Sequence, residues 1–330
     1  MAALAPPVAA IRVAVRRALA GLPSGGPVLV ACSGGADSLA LAAATAFVAP
    51  RLGRTPGLVT VDHGLQTGSA QRAEAVAGWA RDAGFTPVVV SRVEVSGRAG
   101  GPEAAAREAR YQAVTEVARQ HGAVAVLTGH TRDDQAETVL LALARGSGPR
   151  GLAGMPVGRT VAGVTLLRPL LTVDRDQTRA ACAVLGLSAW EDPHNTDPSY
   201  ARSRVRADVL PALVGALGPG VLDNLARTAR LVAADNAVLD GLAETALAAA
   251  RHPGGGLSVP ELFGLAPAVR GRVLHSWARE LGARPGALSF GHVAALDALV
   301  TGWHGQGPVD LPGGVRVLRR DDRLAPVPSG

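Results

Sequence analysis

The sequence predicts an α/β fold: a parallel, five-stranded, doubly wound sheet followed by a mainly helical C-terminal domain. Three observations predict it. Short apolar runs alternate with helical segments through the first half of the chain. Polar, glycine-containing turns follow three of those runs. After Pro193 the pattern changes to Ala/Leu-rich helical stretches with few breaks.

The first strand is Val28-Leu29-Val30-Ala31-Cys32, a continuous apolar run of the kind buried in parallel sheets. A helix opens at Leu39. Leu58 to Asp62 gives a second strand and Gln71 to Ala83 a helix. Pro87 to Val93 is a third strand. Pro102 to Gln120 is helical, with Pro102 and Glu103 suited to a first turn. Ala123 to Gly129 is a fourth strand, Asp134 to Arg145 a helix, and Val164 to Pro169 a fifth strand. Ligands bind such sheets at the carboxyl ends of the strands. The Ser33 loop, Asp62-His63-Gly64 and Gly129-His130 all fall at such ends.

Residues 199 to 250 read as helix, Arg251 to Gly256 as a linker, and residues 259 to 302 as further helix. The tail reads as a hairpin turning at Pro312-Gly313-Gly314. A domain boundary is expected near 214, giving domains 1–214 and 215–330.

Composition sets limits. The 330 residues suffice for roughly two domains. Aromatic residues make up only 3%, so the core must be built from Ala, Val and Leu. The formal charge of +6 comes from arginine alone, because the chain has no lysine. That excess suits nucleic acid, and Arg-rich coding bias would also produce it. Cys32 and Cys182 are the two cysteines, and without a C-x-x-C they suggest neither a zinc ribbon nor a redox pair. No apolar run of about 18 residues appears, so no membrane partner is expected. The N-terminus lacks the features of a signal peptide, which points to a cytoplasmic protein.

Two stretches carry chemistry. In Ser33-Gly34-Gly35-Ala36-Asp37-Ser38, a strand passes through a Ser/Gly turn into a helix N-terminus. Backbone N–H groups gathered there, at the positive end of a helix dipole, bind phosphate. An ordinary turn with Ser and Asp caps is the plainer reading. Asp37 stands where a Mg²⁺ ligand beside phosphates is useful. The absence of lysine excludes a Walker loop.

The second stretch runs from Thr128 to Gly148. Asp134 and Glu137, three residues apart, share a face at a helix start. Asp133, Asp134, Gln135 and Glu137 suggest a pocket for a cation, or acids that merely favour the helix dipole. Downstream, Arg202 and Arg206 share a helical face that Arg204 does not, which makes those two the better phosphate contacts. A solvated charged face is the alternative.

Together these motifs resemble the tRNA(Ile)-lysidine synthetase family. The matching pieces are Ser33 to Ser38; Val61-Asp62-His63-Gly64-Leu65; Ala106-Arg107 with Arg110-Tyr111; and Thr128-Gly129-His130 with Asp133 to Thr138. They continue with Arg145 to Gly148, Gly151 to Met155, Arg168 to Leu171, and Glu191-Asp192-Pro193 with Asn195 and Asp197. The order is the family's, across residues 28 to 211. The family usually has Asn where Ser203 stands here.

The resemblance implies a PP-loop fold of the adenine nucleotide alpha hydrolase kind, with ATP and Mg²⁺ as cofactors. It implies a catalytic domain and a C-terminal domain that helps select tRNA(Ile) with a CAU anticodon. The wobble cytidine is adenylated at its C2 oxygen with release of pyrophosphate. L-lysine then displaces AMP, changing the codon read from AUG to AUA. Ser33, Gly34, Gly35, Ala36, Asp37 and Ser38 would bind ATP, with Asp62, His63 and Gly129 near the nucleotide and Asp37 on the metal. His130, Asp134 and Glu137 would bind lysine. Asp37, Arg107, Asp134 and Glu137 form the expected catalytic set, and Arg110, Arg145, Arg202 and Arg206 the expected tRNA contacts. The sequence admits a homodimer.

Three rival readings fare worse. A PP-loop tRNA thiolase needs a reactive thiol or Cys-bound cluster, which two cysteines on a strand and a helix supply poorly. An amide ligase of the NAD or GMP synthetase kind often brings a glutaminase module, and none is visible. A non-catalytic tRNA- or nucleotide-binding protein would show a degraded site, whereas Asp37, Asp134 and Glu137 are all present.

Overall fold

A computed structural model describes residues 5–62, 64, 68–93, 102–192 and 197–327. The chain divides into two compact units, Met1–Val232 and Ala233–Gly330.

The first unit begins with helix α1 (Pro6–Ala20), then β1 (Val28–Ala31), α2 (Ala36–Arg51), β2 (Pro56–Asp62), α3 (Ser69–Asp82), β3 (Val88–Arg92) and α4 (Pro102–Gln120). It continues through β4 (Ala125–Thr128), α5 (Arg132–Ala144), α6 (Gly148–Leu152), β5 (Gly158–Val161), β6 (Val164–Leu167) and α7 (Arg175–Val184). The six strands lie in the order β3-β2-β1-β4-β6-β5. The five expected strands are all present and mutually parallel. The sixth, β5, is an antiparallel edge hairpin to β6 that sequence reading missed. Its four residues, Gly-Arg-Thr-Val, are too short and too polar to announce a strand.

Alternate residues of the central strands feed opposite faces. Val28, Val30, Leu58 and Leu127 pack with α1, α2, α3 and α7. Leu29, Val59, Val126 and Leu166 pack with Val114, Val117 and Ala118 of α4. This double burial explains the unbroken apolar runs. The direction of winding reverses between β1 and β4, the place where a crevice forms at the strand ends.

A short helix α8 (Ala201–Arg204) passes through a π-helical turn (Val205–Val209) into α9 (Leu210–Leu217). Helix α10 (Val221–Ala249) then runs across the division at Val232, beyond the boundary expected near 214.

The second unit adds β7 (Leu257–Ser258), α11 (Val259–Phe263), α12 (Pro267–Glu280), α13 (Phe290–Thr301), β8 (Val309–Leu311), β9 (Val315–Arg320) and β10 (Arg323–Pro326). Trp277, Leu274, Leu296 and Leu257 sit at its centre. The expected hairpin is β8–β9, extended by β10 and β7 into an antiparallel sheet. The supposed linker at 251–256 is a tight turn instead. The Ser258 N–H bonds the Ala250 carbonyl, and a Cβ on Gly256 would lie 1.9 Å from the Leu324 carbonyl oxygen. Only glycine fits there. Among the described residues, no single helix is long and apolar enough to cross a membrane.

Candidate active site

The Ser33–Ser38 loop joins β1 to α2 at the switch point. Gly34 has φ of +87°, a conformation glycine adopts without strain, and Gly35 is the N-cap of α2. Ser38 is buried and turns back into the loop. Its hydroxyl bonds the Gly35 carbonyl at 2.9 Å, lies 3.3 Å from Ser33 Oγ, and accepts from the Ser33 N–H at 3.2 Å. Ser38 therefore braces the loop from below, while Ser33 is exposed at its rim. Gly129, at the end of β4, closes the crevice. A Cβ there would come within 3.0 Å of Asp37 C and Ser38 N, so the end of β4 and the first turn of α2 approach as closely as they do only because residue 129 is glycine. Asp62, buried at the end of β2, accepts from the Gly64 N–H at 3.0 Å. His63 lies outside the described residues.

Helix α5 starts beside this loop. Thr131 is its N-cap and Asp134 completes a capping box, with Oδ2 accepting from the Thr131 N–H at 2.8 Å. The four polar groups expected to form one pocket divide in the structure. Gln135 turns away and clamps Met155, accepting from its N–H at 2.7 Å and donating to its carbonyl at 3.0 Å. Asp133 accepts from the Arg175 N–H at 3.0 Å. Asp134 and the wholly buried Glu137 face the interior of the site.

Arg175, at the start of α7, is the residue that sequence reading missed. Its Nη2 lies 2.9 Å from Asp134 Oδ1 and 3.2 Å from Glu137 Oε1, and its Nε lies 3.8 Å from Asp37 Oδ2. One guanidinium thus links the loop carboxylate to the carboxylate pair. Thr178, one turn on, donates a short hydrogen bond to Asp37. The only signal was an arginine beside the N-cap Asp174, and its long-range partners have no local signature.

Arg202 and Arg206 do share a face, and Arg204 points elsewhere, to the carbonyls of Pro198 and Ser199. That face meets Glu137 while keeping about a quarter of each arginine side chain exposed. Arg206 Nε lies 2.8 Å from Oε1 and Arg202 Nε 3.1 Å from Oε2. The π-helical turn begins between these arginines, at Val205, and π turns of this kind recur at functional sites. Arg107 and Arg110 lie exposed on α4, and Arg145 is the exposed C-cap of α5, at the opposite end of that helix from Asp134.

Electrostatics follow from the geometry. Burial pushes the Asp37 carboxyl above the ordinary range, helped by Asp134 and Asp133 and opposed by Thr178 and Arg175. Burial also acts upward on Asp134, but Arg175, the Thr131 N–H, His130 and Arg202 outweigh it and hold that carboxyl low. His130, bonded through Nδ1 to Thr128 Oγ1 at 3.0 Å, is pushed down to about 4 by burial, with Arg168, Arg107 and Arg202 adding to the effect and Asp134 opposing it. It is therefore neutral at pH 7. Burial raises both thiols, Cys182 to about 11, so neither cysteine is a ready nucleophile.

Asp37 also suits a hard cation. It is a carboxylate at the Ser/Gly turn between β1 and α2 with 26% of its side chain exposed, and Mg²⁺ takes one or two carboxylates while keeping waters and phosphate oxygens.

A Ser/Gly turn leading into a helix at the switch point of such a sheet, with acidic groups across from it, is the arrangement of an α/β enzyme of the PP-loop class. Residues 13–213 match the PP-loop domain model, and residues 257–325 match the TilS substrate binding domain. The tRNA(Ile)-lysidine synthase of Salinispora tropica is 74% identical over 100% of this chain and 99% of its own length. That of Thermobifida fusca is 56% identical over 97% of both. The chain belongs to the tRNA(Ile)-lysidine synthase family. In fold it is similar to the U34-tRNA thiolase NcsA from Methanococcus maripaludis, with a TM-score of 0.57 at 19% identity, covering 68% of this chain and 80% of that one.

Proposed function

We propose that this chain adenylates the wobble cytidine of tRNA(Ile) bearing a CAU anticodon and joins free L-lysine to its C2 carbon. Family membership makes it a tRNA-modifying ligase that uses ATP. The observation that carries the site reading is the convergence of the phosphate-binding loop and a buried carboxylate pair on one residue, Arg175.

In the first step the cytidine C2 oxygen attacks the α-phosphorus of ATP, and the bond to pyrophosphate breaks. The Ser33–Ser38 turn holds the phosphates with backbone N–H groups and the helix dipole, and Asp62 and Gly129 border the nucleotide. Asp37 would hold Mg²⁺, which when bound neutralises charge on pyrophosphate. In the second step the lysine ε-amine forms a C–N bond at C2. The C2–O bond breaks, AMP leaves with the electron pair, and the amine gives up a proton. A carbonyl oxygen leaves poorly and AMP leaves well, so positioning and charge stabilisation suffice without a protein nucleophile.

Asp134 and Glu137, with His130 alongside, receive the cationic lysine. The carboxylates already face arginines, so the ligand's ammonium exchanges with a guanidinium contact. Arg202 and Arg206, each with 27% of the side chain exposed, are better placed to yield than Arg175 at 13%. Arg107 and Arg145 are exposed and available to the tRNA, and Arg110 lies on the same face of α4 as Arg107. The C-terminal segment contributes to tRNA selection, and cytoplasm is the compartment where these substrates meet.

The test is mass analysis of nucleosides from tRNA incubated with the protein, ATP and lysine. Lysidine in the CAU-bearing tRNA, with AMP and pyrophosphate released, is expected. Incorporation of sulfur or ammonia with lysine left out would refute the reading.

A further inference from the structure

We propose that Arg107, Arg159 and Arg168, gathered round Tyr111, form a subsite for a backbone phosphodiester of the tRNA beside the target base. The inference rests on the reading that tRNA is the substrate. Arg168 is 2% exposed. Its Nη1 donates to the Pro156 carbonyl at 2.7 Å, its charge acts on the neighbouring Tyr111, and its Nε is buried without a hydrogen-bond partner. Arg159 stacks on the Tyr111 ring, 4.6 Å from the centroid, and its Nε is likewise buried without a partner. Arg107 lies 5.3 Å from the same centroid, with Nη2 3.5 Å from the hydroxyl.

Among the described residues, no carboxylate stands within ion-pair distance of these three arginines. The contrast within the fold is sharp. Arg175, Arg202, Arg206 and the buried Arg270 each face an Asp or Glu. A neutral phenol and a carbonyl solvate guanidinium groups but balance none of their charge, and an uncompensated buried cation is costly. The missing counter-charge is one that a ligand brings.

Position favours a nucleic-acid phosphate. The exposed edge strand β5 carries Arg159, and Arg107 is exposed on α4, so the mouth opens to solvent. Arg168 follows β6, the neighbour of β4, and both it and Arg107 act on His130 at the catalytic edge. An enzyme that works on a base must hold it out of the stack and grip the flanking backbone. Planar guanidinium forks, pre-oriented on an aromatic face, match phosphate oxygens. The edge hairpin then has a purpose: it delivers Arg159.

The test titrates the full-length protein with a CAU-bearing tRNA transcript at salt from about 50 to 300 mM, and measures the KM for lysine at saturating tRNA. Arg159→Ala, and separately the exposed Arg107→Ala, should weaken tRNA binding and make the slope of log affinity against log salt shallower by about one. Arg159→Lys should restore the slope, and the lysine KM should not move in Arg159→Ala. An unchanged slope in both alanine variants overturns the subsite. So does a raised lysine KM with tRNA affinity intact, which would assign the arginines to the lysine carboxylate. Wild-type protein that fails to bind this tRNA overturns the functional reading, and the subsite with it.

Discussion

Arg206 Nε lies 2.8 Å from Glu137 Oε1, and Glu137 has no exposed surface. A carboxylate so deeply placed is tolerable only because Arg175, Arg202 and Arg206 surround it. It anchors the arginines, and in the proposed reaction it is also the group that the lysine ammonium reaches.

Glu137→Gln separates those roles, because it keeps the shape and removes the charge. Losing a charge-assisted contact costs about 1.5–3 kcal/mol, roughly ten- to a hundredfold in affinity. The expected outcome is a rise of that size in the lysine KM, with tRNA-dependent pyrophosphate release from ATP changed only a few-fold. Steady-state assays of the two half-reactions measure it. Equal loss in both would place Glu137 in ATP use instead.

Gly129→Ala should act on the other half-site. The added methyl would meet backbone atoms of Asp37 and Ser38 at 3.0 Å. Backbone cannot swing aside as a side chain does, so the loop must shift. We expect a thermal stability loss of about 1–3 kcal/mol and a much larger loss of ATP-dependent activity, because the phosphate-binding geometry moves. Calorimetric titration with ATP, set beside the melting temperature, checks this. An ATP affinity equal to wild type would mean that the approach of β4 to α2 is unimportant for the nucleotide.

What could be read from the sequence divides along physical lines. The five parallel strands were legible because burial on both faces leaves uninterrupted apolar runs such as Val28–Val30. The loop and the Asp134/Glu137 pair were legible because each is local, set by spacing along one turn or one helix. The pairing of Arg202 with Arg206 followed from helical periodicity, but its target, Glu137, did not. Arg175 and Arg159 were illegible for a shared reason: their partners lie on elements far away in sequence, and tertiary packing alone decides what they touch. Gln135 sat in the right motif for a different purpose, that of clamping Met155.

Gln135→Leu should therefore damage stability before chemistry. It removes both partners of a buried N–H and a buried C=O on Met155, and each unsatisfied group costs about 1–3 kcal/mol. Denaturant unfolding should show a drop of several kcal/mol at most, with the lysine KM of the remaining folded protein near wild type. A raised lysine KM at unchanged stability would return Gln135 to the binding pocket.

His130 provides a pH test. Its folded-state value of about 4 lies below the ordinary 6.5 because burial and neighbouring arginines disfavour the cation. Between those values the unfolded chain binds a proton that the folded chain does not. Stability therefore falls as pH drops from about 6.5 toward 4, and this contribution levels off below the folded value. Asp134, held low, acts in the same direction at still lower pH, since its contribution is lost as pH falls through its depressed folded value. Replacing His130 with Gln keeps a hydrogen-bonding partner for Thr128 and removes the titration. Denaturant midpoints measured across pH 4 to 7 should decline less steeply in His130→Gln than in wild type, with the two curves converging in shape near neutrality. Parallel curves across the whole window would show that His130 titrates alike in the folded and unfolded chain, and that the arginines beside it do not set its charge.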